Sequence, residues 1–234
     1  MNKEARSVPP LFAEGSVEVR LVSIEDFPEP LFEQFSLLSS DDRIAGFRRK
    51  RDRIRTLVGE MLVRYAAADY RRLPVEEIAF EREERGKPFL AGGAAGFHFN
   101  ISHSGSWVAA AFARSGIGVD VERHTSIDPD IAKRFFADQE WKYVFSHPAG
   151  EREKAFFKIW TLKESYIKAL GGGLSIPLDS FSTVENGSGI RCLQSETTGS
   201  RYFSAPDFAD GYSLAVCAAE PNEPLVRVIA PEYI

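Results

Sequence analysis

Apolar and polar residues alternate along Val17-Glu18-Val19-Arg20-Leu21-Val22, the pattern of a half-buried strand. Leu31, Phe32, Phe35 and Leu38 then share one face of a short helix over 30–38. A longer helix is expected from a cap at Ser39 or Ser40 to about residue 73, where Pro74 stops it, with Asp41 and Asp42 in its first turn. In its second half Leu57, Met61, Tyr65 and Ala68 recur at helical spacing and read as core. Strands are expected over 78–82 and 97–102, the second returning through 107–112 as a hairpin, while Gly86-Lys87-Pro88 reads as a turn. A further strand covers 117–122, and helices cover 127–136, a stretch beginning at Asp138, and 151–170, with Gly171-Gly172-Gly173 just past the last. Strands follow near 180–184, 201–204, 212–218 and 226–229, with turns around 186–189. Each half thus carries one dominant helix and several strands. The fold class expected is α+β, with two similar subdomains, 1–115 and 116–234.

The 234 residues suffice for one large or two small domains. Their hydrophobic fraction of 44% and charged fraction of 27% are those of a soluble globular protein. No apolar run reaches the roughly 18 residues of a membrane span. The first residues lead into no apolar signal core, so no secretion signal is expected. Two cysteines, Cys192 and Cys217, make no disulfide framework and no zinc spacing, which points to a reduced, cytoplasmic setting. The net charge of −5 argues against general nucleic-acid binding. The charge is uneven, however: Arg43, Arg48, Arg49, Lys50, Arg51, Arg53 and Arg55 face only Asp52 as an acid in that span. Such a cluster serves as a solvated helix face, a nucleic-acid patch or a phosphate site.

Chemistry concentrates in two stretches. In Gly118-Val119-Asp120-Val121-Glu122 the two acids are two apart in a strand, so they project from one face, while Ile117, Val119 and Val121 form the other. In the helix at 151–170, Trp160, Glu164 and Lys168 lie one turn apart along one face. The plain readings are edge charges in solvent and a surface ion pair worth about 0.3–0.5 kcal/mol. If Glu164 instead approaches Asp120 and Glu122, three carboxylates form an all-oxygen site suited to magnesium, which binds through few carboxylates, water and substrate phosphates. Lys168 would neutralise phosphate oxygens beside it. Lys163 points elsewhere, as an exposed helix lysine or a phosphate contact. His103 ends a strand in Ser102-His103-Ser104-Gly105, as a hydrogen-bonded turn residue or a phosphate contact. There is no Gly-x-Ser-x-Gly elbow, no Walker loop and no Gly-x-Gly-x-x-Gly after a strand.

Taken together, Gly118-Val119-Asp120-Val121-Glu122 and Trp160-Thr161-Leu162-Lys163-Glu164-Ser165-Tyr166-Ile167-Lys168 resemble the paired signatures of the 4'-phosphopantetheinyl transferases. Phe99-Asn100-Ile101-Ser102-His103-Ser104-Gly105, Gly86-Lys87-Pro88, Arg55-Thr56-Leu57 and Gly211-Tyr212-Ser213-Leu214-Ala215-Val216-Cys217 extend the resemblance over nearly the whole chain, in the order of the surfactin-type (Sfp) branch. The resemblance implies a pseudo-twofold pair of α+β subdomains with coenzyme A between them. It implies transfer of the phosphopantetheine arm of coenzyme A to a serine of an apo acyl or peptidyl carrier protein, with release of 3',5'-ADP. By motif position Asp120, Glu122 and Glu164 would hold magnesium with the diphosphate, which Lys168 would contact. Arg55, Lys87, Pro88, Ser102, His103 and Lys163 would bind the rest of coenzyme A. Glu140 falls where the family's proposed general base sits; a first-turn helix acid is its plainer reading. Neither nucleic acid nor membrane would be a partner, and a monomer would suffice.

One departure from the family pattern is visible. Lysines expected before Arg-Thr-Leu are replaced by Ser39-Ser40-Asp41-Asp42, and positive charge begins at Arg43. Which of Arg43, Arg48, Arg49 and Lys50 would meet coenzyme A, and which a carrier protein, stays open in the sequence. The competing readings are another magnesium-dependent phosphoryl or nucleotidyl transferase using the same acids, a nucleic-acid-binding protein using the 43–55 cluster, and a carrier-binding protein without catalysis.

Overall fold

The computed structural model describes residues 16–39, 41–83, 86–93, 95–171, 176–186, 189–193, 201–221 and 223–234, the side chains at 42, 45, 184–186 and 189–193 excepted. The expected cap at Ser40 and the glycines at 172 and 173 lie outside the described residues.

Alternation decides how the sheets stack. In β1 (Glu18–Ser23) and β5 (Trp107–Ala113), Val19, Leu21, Ala109 and Ala111 point to one side. Val22, Val108, Ala110 and Phe112 point to the other. With β4 (His98–Ser104) and β11 (Leu225–Val228) they form a four-stranded sheet in the order β11-β1-β5-β4. The second sheet, in the order β6-β10-β9-β8-β7, contains β6 (Ile117–Arg123), β7 (Ser182–Asn186), β8 (Gly189–Leu193), β9 (Tyr202–Ser204) and β10 (Tyr212–Ala218). The two sheets meet through Val19, Leu21, Ala109 and Ala111 on one and Ile117, Val119, Val121, Leu214 and Val216 on the other. Helix α2 (Lys50–Arg71) covers the free face of the first sheet, and α5 (Arg152–Leu170) that of the second. Each half is therefore a sheet with one long helix on its outer face, the α+β pattern expected. Shorter helices α1 (Glu29–Leu38), α3 (Pro129–Phe135) and α4 (Asp138–Ser146) flank these layers, and β2 (Phe80–Arg82) pairs only with β3 (Pro88–Leu90). No described helix is long and apolar enough to cross a membrane.

Three features depart from the sequence pattern. The helix expected from residue 39 begins only at Lys50. Ser39 closes α1, its N–H donating to Phe35 O at 3.0 Å, and Asp41 caps a separate 3-10 turn, Asp42–Gly46. Phe47 and Arg49 are extended, and between the 3-10 turn, whose Ile44 packs against the Phe35, Leu57 and Met61 cluster, and Ile54 no residue is fully buried. Strands β3 and β8 were not expected. The chain's last strand, β11, crosses back to pair in parallel with β1, so a division at 115/116 leaves part of the first sheet in the C-terminal segment.

Gly118 fixes the distance between α5 and β6. A Cβ there would sit 2.5 Å from the amide nitrogen of Ala169 and would collide with the Ser165 carbonyl. Backbone cannot yield as a flexible side chain does. Gly118→Ala is expected to cost about 1–3 kcal/mol by overpacking, read as a lower urea midpoint, and to move Glu164 and Lys168 away from β6.

Candidate active site

Strand β4 is the edge of the first sheet and β6 the edge of the second. Side chains join them where backbone pairing does not. Asn100 Oδ1 accepts from Val119 N at 2.9 Å, Ser102 Oγ from Val121 N at 3.3 Å, and Ser104 Oγ from Arg123 N at 3.1 Å. Alternate β4 residues thus satisfy alternate amides of β6, which would otherwise be orphaned at the seam. The serines then donate onward: Ser102 to Asp120 Oδ1 at 2.8 Å and Ser104 to Glu122 Oε2 at 2.6 Å. The seam itself therefore holds both acids. Asn100 and Ser104 were not singled out from sequence. The period-two polar run 100, 102, 104, alternating with Phe99 and Ile101, is the signal that could have found them.

Because Gly118 lets α5 lie close, Glu164 and Lys168 reach the same place. Lys168 Nζ donates to Asp120 Oδ1 at 2.6 Å and to Ser102 Oγ at 3.1 Å. Burial pushes the Asp120 carboxyl upward, with Lys168 and Ser102 opposing. Burial also raises Glu122, with Asp120's charge adding to it, and raises Glu164, where Asp120 and then Glu122 add to it. Three acids here share one ammonium, so burial, the largest cause for each, raises all three carboxyls with little charge to offset it. A folded-state pKa above the unfolded value destabilises the ionised fold, and that penalty disappears as pH falls through the folded value. Metal-free Glu164→Gln is accordingly expected to melt above the parent protein at neutral pH. The gap should close as pH falls toward the ordinary carboxylate range, as melting scans across pH would read.

These groups line a cavity of about 830 Å³ between the two halves. Asp120, Glu122, Trp160, Glu164 and Lys168 occupy one wall; Arg43, Arg55, Arg82 and His103 supply basic groups elsewhere on it. Pro88, Ser102 and Gly86 also line it. Arg55 Nε donates to Gly105 O at 3.1 Å and its Nη1 pairs with Asp52 at 3.0 Å. His103 reaches solvent in the cleft, yet the protein around it lowers its pKa, by desolvation first and by the Arg55 and Lys168 charges after. Lys87 is not part of the lining: its Nζ donates to Lys168 O at 3.3 Å, tying the β2–β3 hairpin to the end of α5.

Two expected site residues lie elsewhere. Lys163 is fully buried, not exposed, and Glu140 is buried with it; Nζ and Oε2 are 2.6 Å apart. Lys163 also donates to Leu178 O at 2.7 Å and Phe181 O at 2.5 Å. Glu140 accepts from Ala137 N at 2.9 Å, Thr183 N at 2.7 Å and Thr183 Oγ1 at 3.1 Å. Neither residue lines the cavity. This pair fastens α4, α5 and β7 together. It has no open path to a substrate proton or phosphate, so the base role of Glu140 and the ligand contact of Lys163 do not follow from this geometry.

Among the described residues no group of three or more His, Cys, Asp or Glu is arranged so that it could hold a metal ion. The fit to a hard cation rests on the acids themselves. Asp120 Oδ2 is a buried carboxylate oxygen without a hydrogen-bond partner, a costly state that a bound cation would relieve. Asp120 stands near enough to raise both Glu122 and Glu164, and Glu122 raises Glu164 further. Magnesium, which uses one or two protein carboxylates and completes its shell with water and phosphate, suits such a partial site.

The 4'-phosphopantetheinyl transferase superfamily profile matches residues 116–217, and the profile "4'-phosphopantetheinyl transferase, N-terminal" matches residues 31–115. The chain belongs to the 4'-phosphopantetheinyl transferase superfamily. It is 40% identical over 179 residues to 4'-phosphopantetheinyl transferase Sfp of Bacillus subtilis (strain 168), covering 76% of this chain and 80% of that protein. It is 36% identical over 168 residues to 4'-phosphopantetheinyl transferase gsp of Aneurinibacillus migulanus, covering 72% and 70%. To 4'-phosphopantetheinyl transferase HetI of Nostoc sp. it is 35% identical over 177 residues, covering 71% and 74%. These likenesses put it in the Sfp branch.

Proposed function

We propose that this protein transfers the 4'-phosphopantetheine moiety of coenzyme A to a serine of an apo acyl or peptidyl carrier protein, releasing 3',5'-ADP in a magnesium-dependent reaction. The observation that carries this reading is one cavity with three under-neutralised carboxylates and a lysine on one wall and arginines elsewhere on its lining. A ligand with a diphosphate and a further phosphate matches that distribution of charge.

Asp120, Glu122 and Glu164 would hold the magnesium ion, which would supply charge stabilisation to the diphosphate. Lys168, already directed at Asp120, would neutralise oxygens on the leaving 3',5'-ADP. Arg55 and His103 would meet the nucleotide end, with Gly86 and Pro88 beside it. Of the four cations left open by the sequence, only Arg43 lines the cavity. The attacking hydroxyl comes from the partner, so the chain needs a proton acceptor and no nucleophile. With Glu140 locked to Lys163, that acceptor would come from the groups that line the cleft. One chain supplies the whole cleft, so a monomer suffices. Two cysteines, too few for a disulfide framework, agree with a reduced, cytoplasmic setting.

The geometry disfavours the nucleic-acid reading. Much of the 43–55 cluster is engaged: Arg43 with Asp41, Lys50 with Glu29, Arg51 with Ser106, Arg53 with Phe47 O and Arg55 with Asp52. The nucleotide product separates the enzyme readings. Chromatography of a reaction containing coenzyme A, apo carrier protein and magnesium should show 3',5'-ADP rising in step with modified carrier, and neither with EDTA. Another nucleotide, or free phosphate without 3',5'-ADP, would refute the proposal.

A further inference from the structure

Asp41 is a charged group at the cavity that has none of the roles above. Asp41, with only 9% of its side chain exposed, lies on the lining together with Arg43 and Arg82. An acid there opposes an anionic ligand unless its charge is used for something else. Its bonds show what uses it. Asp41 Oδ1 accepts from Arg43 N at 3.1 Å and from Arg43 Nε at 2.9 Å. Asp41 Oδ2 accepts from Arg43 Nη2 and from Arg82 Nη2, both at 2.7 Å. The first arginine belongs to the 3-10 turn before α2, the second to β2. Arg82 then donates through Nη1 to Gly86 O at 2.9 Å. The Arg43 hydrogen bond is the largest influence on Asp41 and keeps its carboxyl below the usual range, with the Arg82 charge adding to it.

The hairpin at the end of this chain of bonds has little else to hold it. β2 and β3 form a two-stranded sheet separate from both others, and such ribbons are marginal alone. Its inner end is anchored by Leu90, which is buried, and by Phe80, packed edge-on against Phe99 at 6.1 Å. Beyond that end come Gly86, Lys87 and Pro88, and Gly86 and Pro88 line the cavity. Among the described residues two side-chain ties reach this outer part: Arg82 to Asp41 on one side, and Lys87 Nζ to Lys168 O on the other.

We infer that Asp41 is a positioning residue: it locks Arg43 and Arg82 together and, through Arg82, holds the β2–β3 hairpin in its ligand-contacting place beside the cavity. The inference rests on the proposed use of the cavity for coenzyme A. Losing the tie frees the hairpin and one arginine, so binding must first order them again. Affinity for coenzyme A then falls, while the acids and Lys168 on β6 and α5 keep their arrangement.

The test compares the parent protein, Asp41→Asn, Arg82→Met and the double variant. Dissociation constants for coenzyme A come from calorimetry, and kcat and KM from carrier modification. Melting curves certify the fold of each. Arg82 is part-exposed and can be truncated without opening the core, so it serves if Asp41→Asn folds poorly. Each single variant should weaken coenzyme A binding about 5- to 20-fold, raise KM in step and leave kcat within twofold. The double variant should be no weaker than the poorer single, because both cut one tie. Unchanged or tighter binding in Asp41→Asn would overturn the inference, as would additive losses or a fall in kcat at constant KM. A parent protein that binds no coenzyme A would refute the underlying function instead.

Discussion

Asp120→Asn is expected to slow carrier modification on the order of 10³-fold while leaving the protein folded. A metal ion on a transferring phosphoryl group contributes several kcal/mol, and each 1.36 kcal/mol is about tenfold in rate. Asp120 stands at the junction of everything in the site. Its Oδ1 takes Ser102 and Lys168, and its Oδ2 is the buried oxygen left for a cation. An amide keeps the Ser102 hydrogen bond but loses the charge. Stability should not follow activity down, because the buried carboxyl is already pushed upward by desolvation and Lys168 can turn to solvent. Initial rates and urea midpoints on the same sample read both. A variant within tenfold of the parent rate would remove Asp120 from the reaction.

Lys163→Met should do the reverse, costing about 3–5 kcal/mol of stability because it strands the buried carboxylate of Glu140. Urea unfolding measures this directly. Replacing both partners, as in Glu140→Gln with Lys163→Met, should recover much of the loss, since a fully removed buried pair is far less costly than half of one. Glu140→Gln alone separates a base from a strut. A strut loses stability and keeps kcat in the folded fraction; a base loses kcat at every protein concentration and temperature where it is folded.

Much of this site was legible because its residues obey a local period. The two-residue alternation of 117–122 put Asp120 and Glu122 on one face, and the helical spacing of 160, 164 and 168 put the other groups on one stripe. The structure brings those faces together as read. Lys163 was misread because periodicity does not tell a lysine it will be buried: its acceptors come from residues 140, 178 and 181, which only the tertiary fold assembles. The break at 39–49 was hidden for a related reason. Aspartates at 41 and 42 suit a helix start, and they do start one, but it is a single 3-10 turn, and between it and Ile54 no residue is fully buried. β11 could be seen as a strand, yet nothing local announces that it returns to β1 in parallel. The Asp41–Arg82 tie joins residues 41 positions apart and was equally invisible.

The most direct measurement is the intact mass of an apo carrier protein after incubation with this protein, coenzyme A and magnesium, with an EDTA control beside it. The account predicts a gain of one phosphopantetheinyl group with magnesium and none with EDTA. Carriers of fatty-acid, polyketide and peptide-synthetase type that all keep their apo mass, in the presence of a protein that binds coenzyme A, would contradict it.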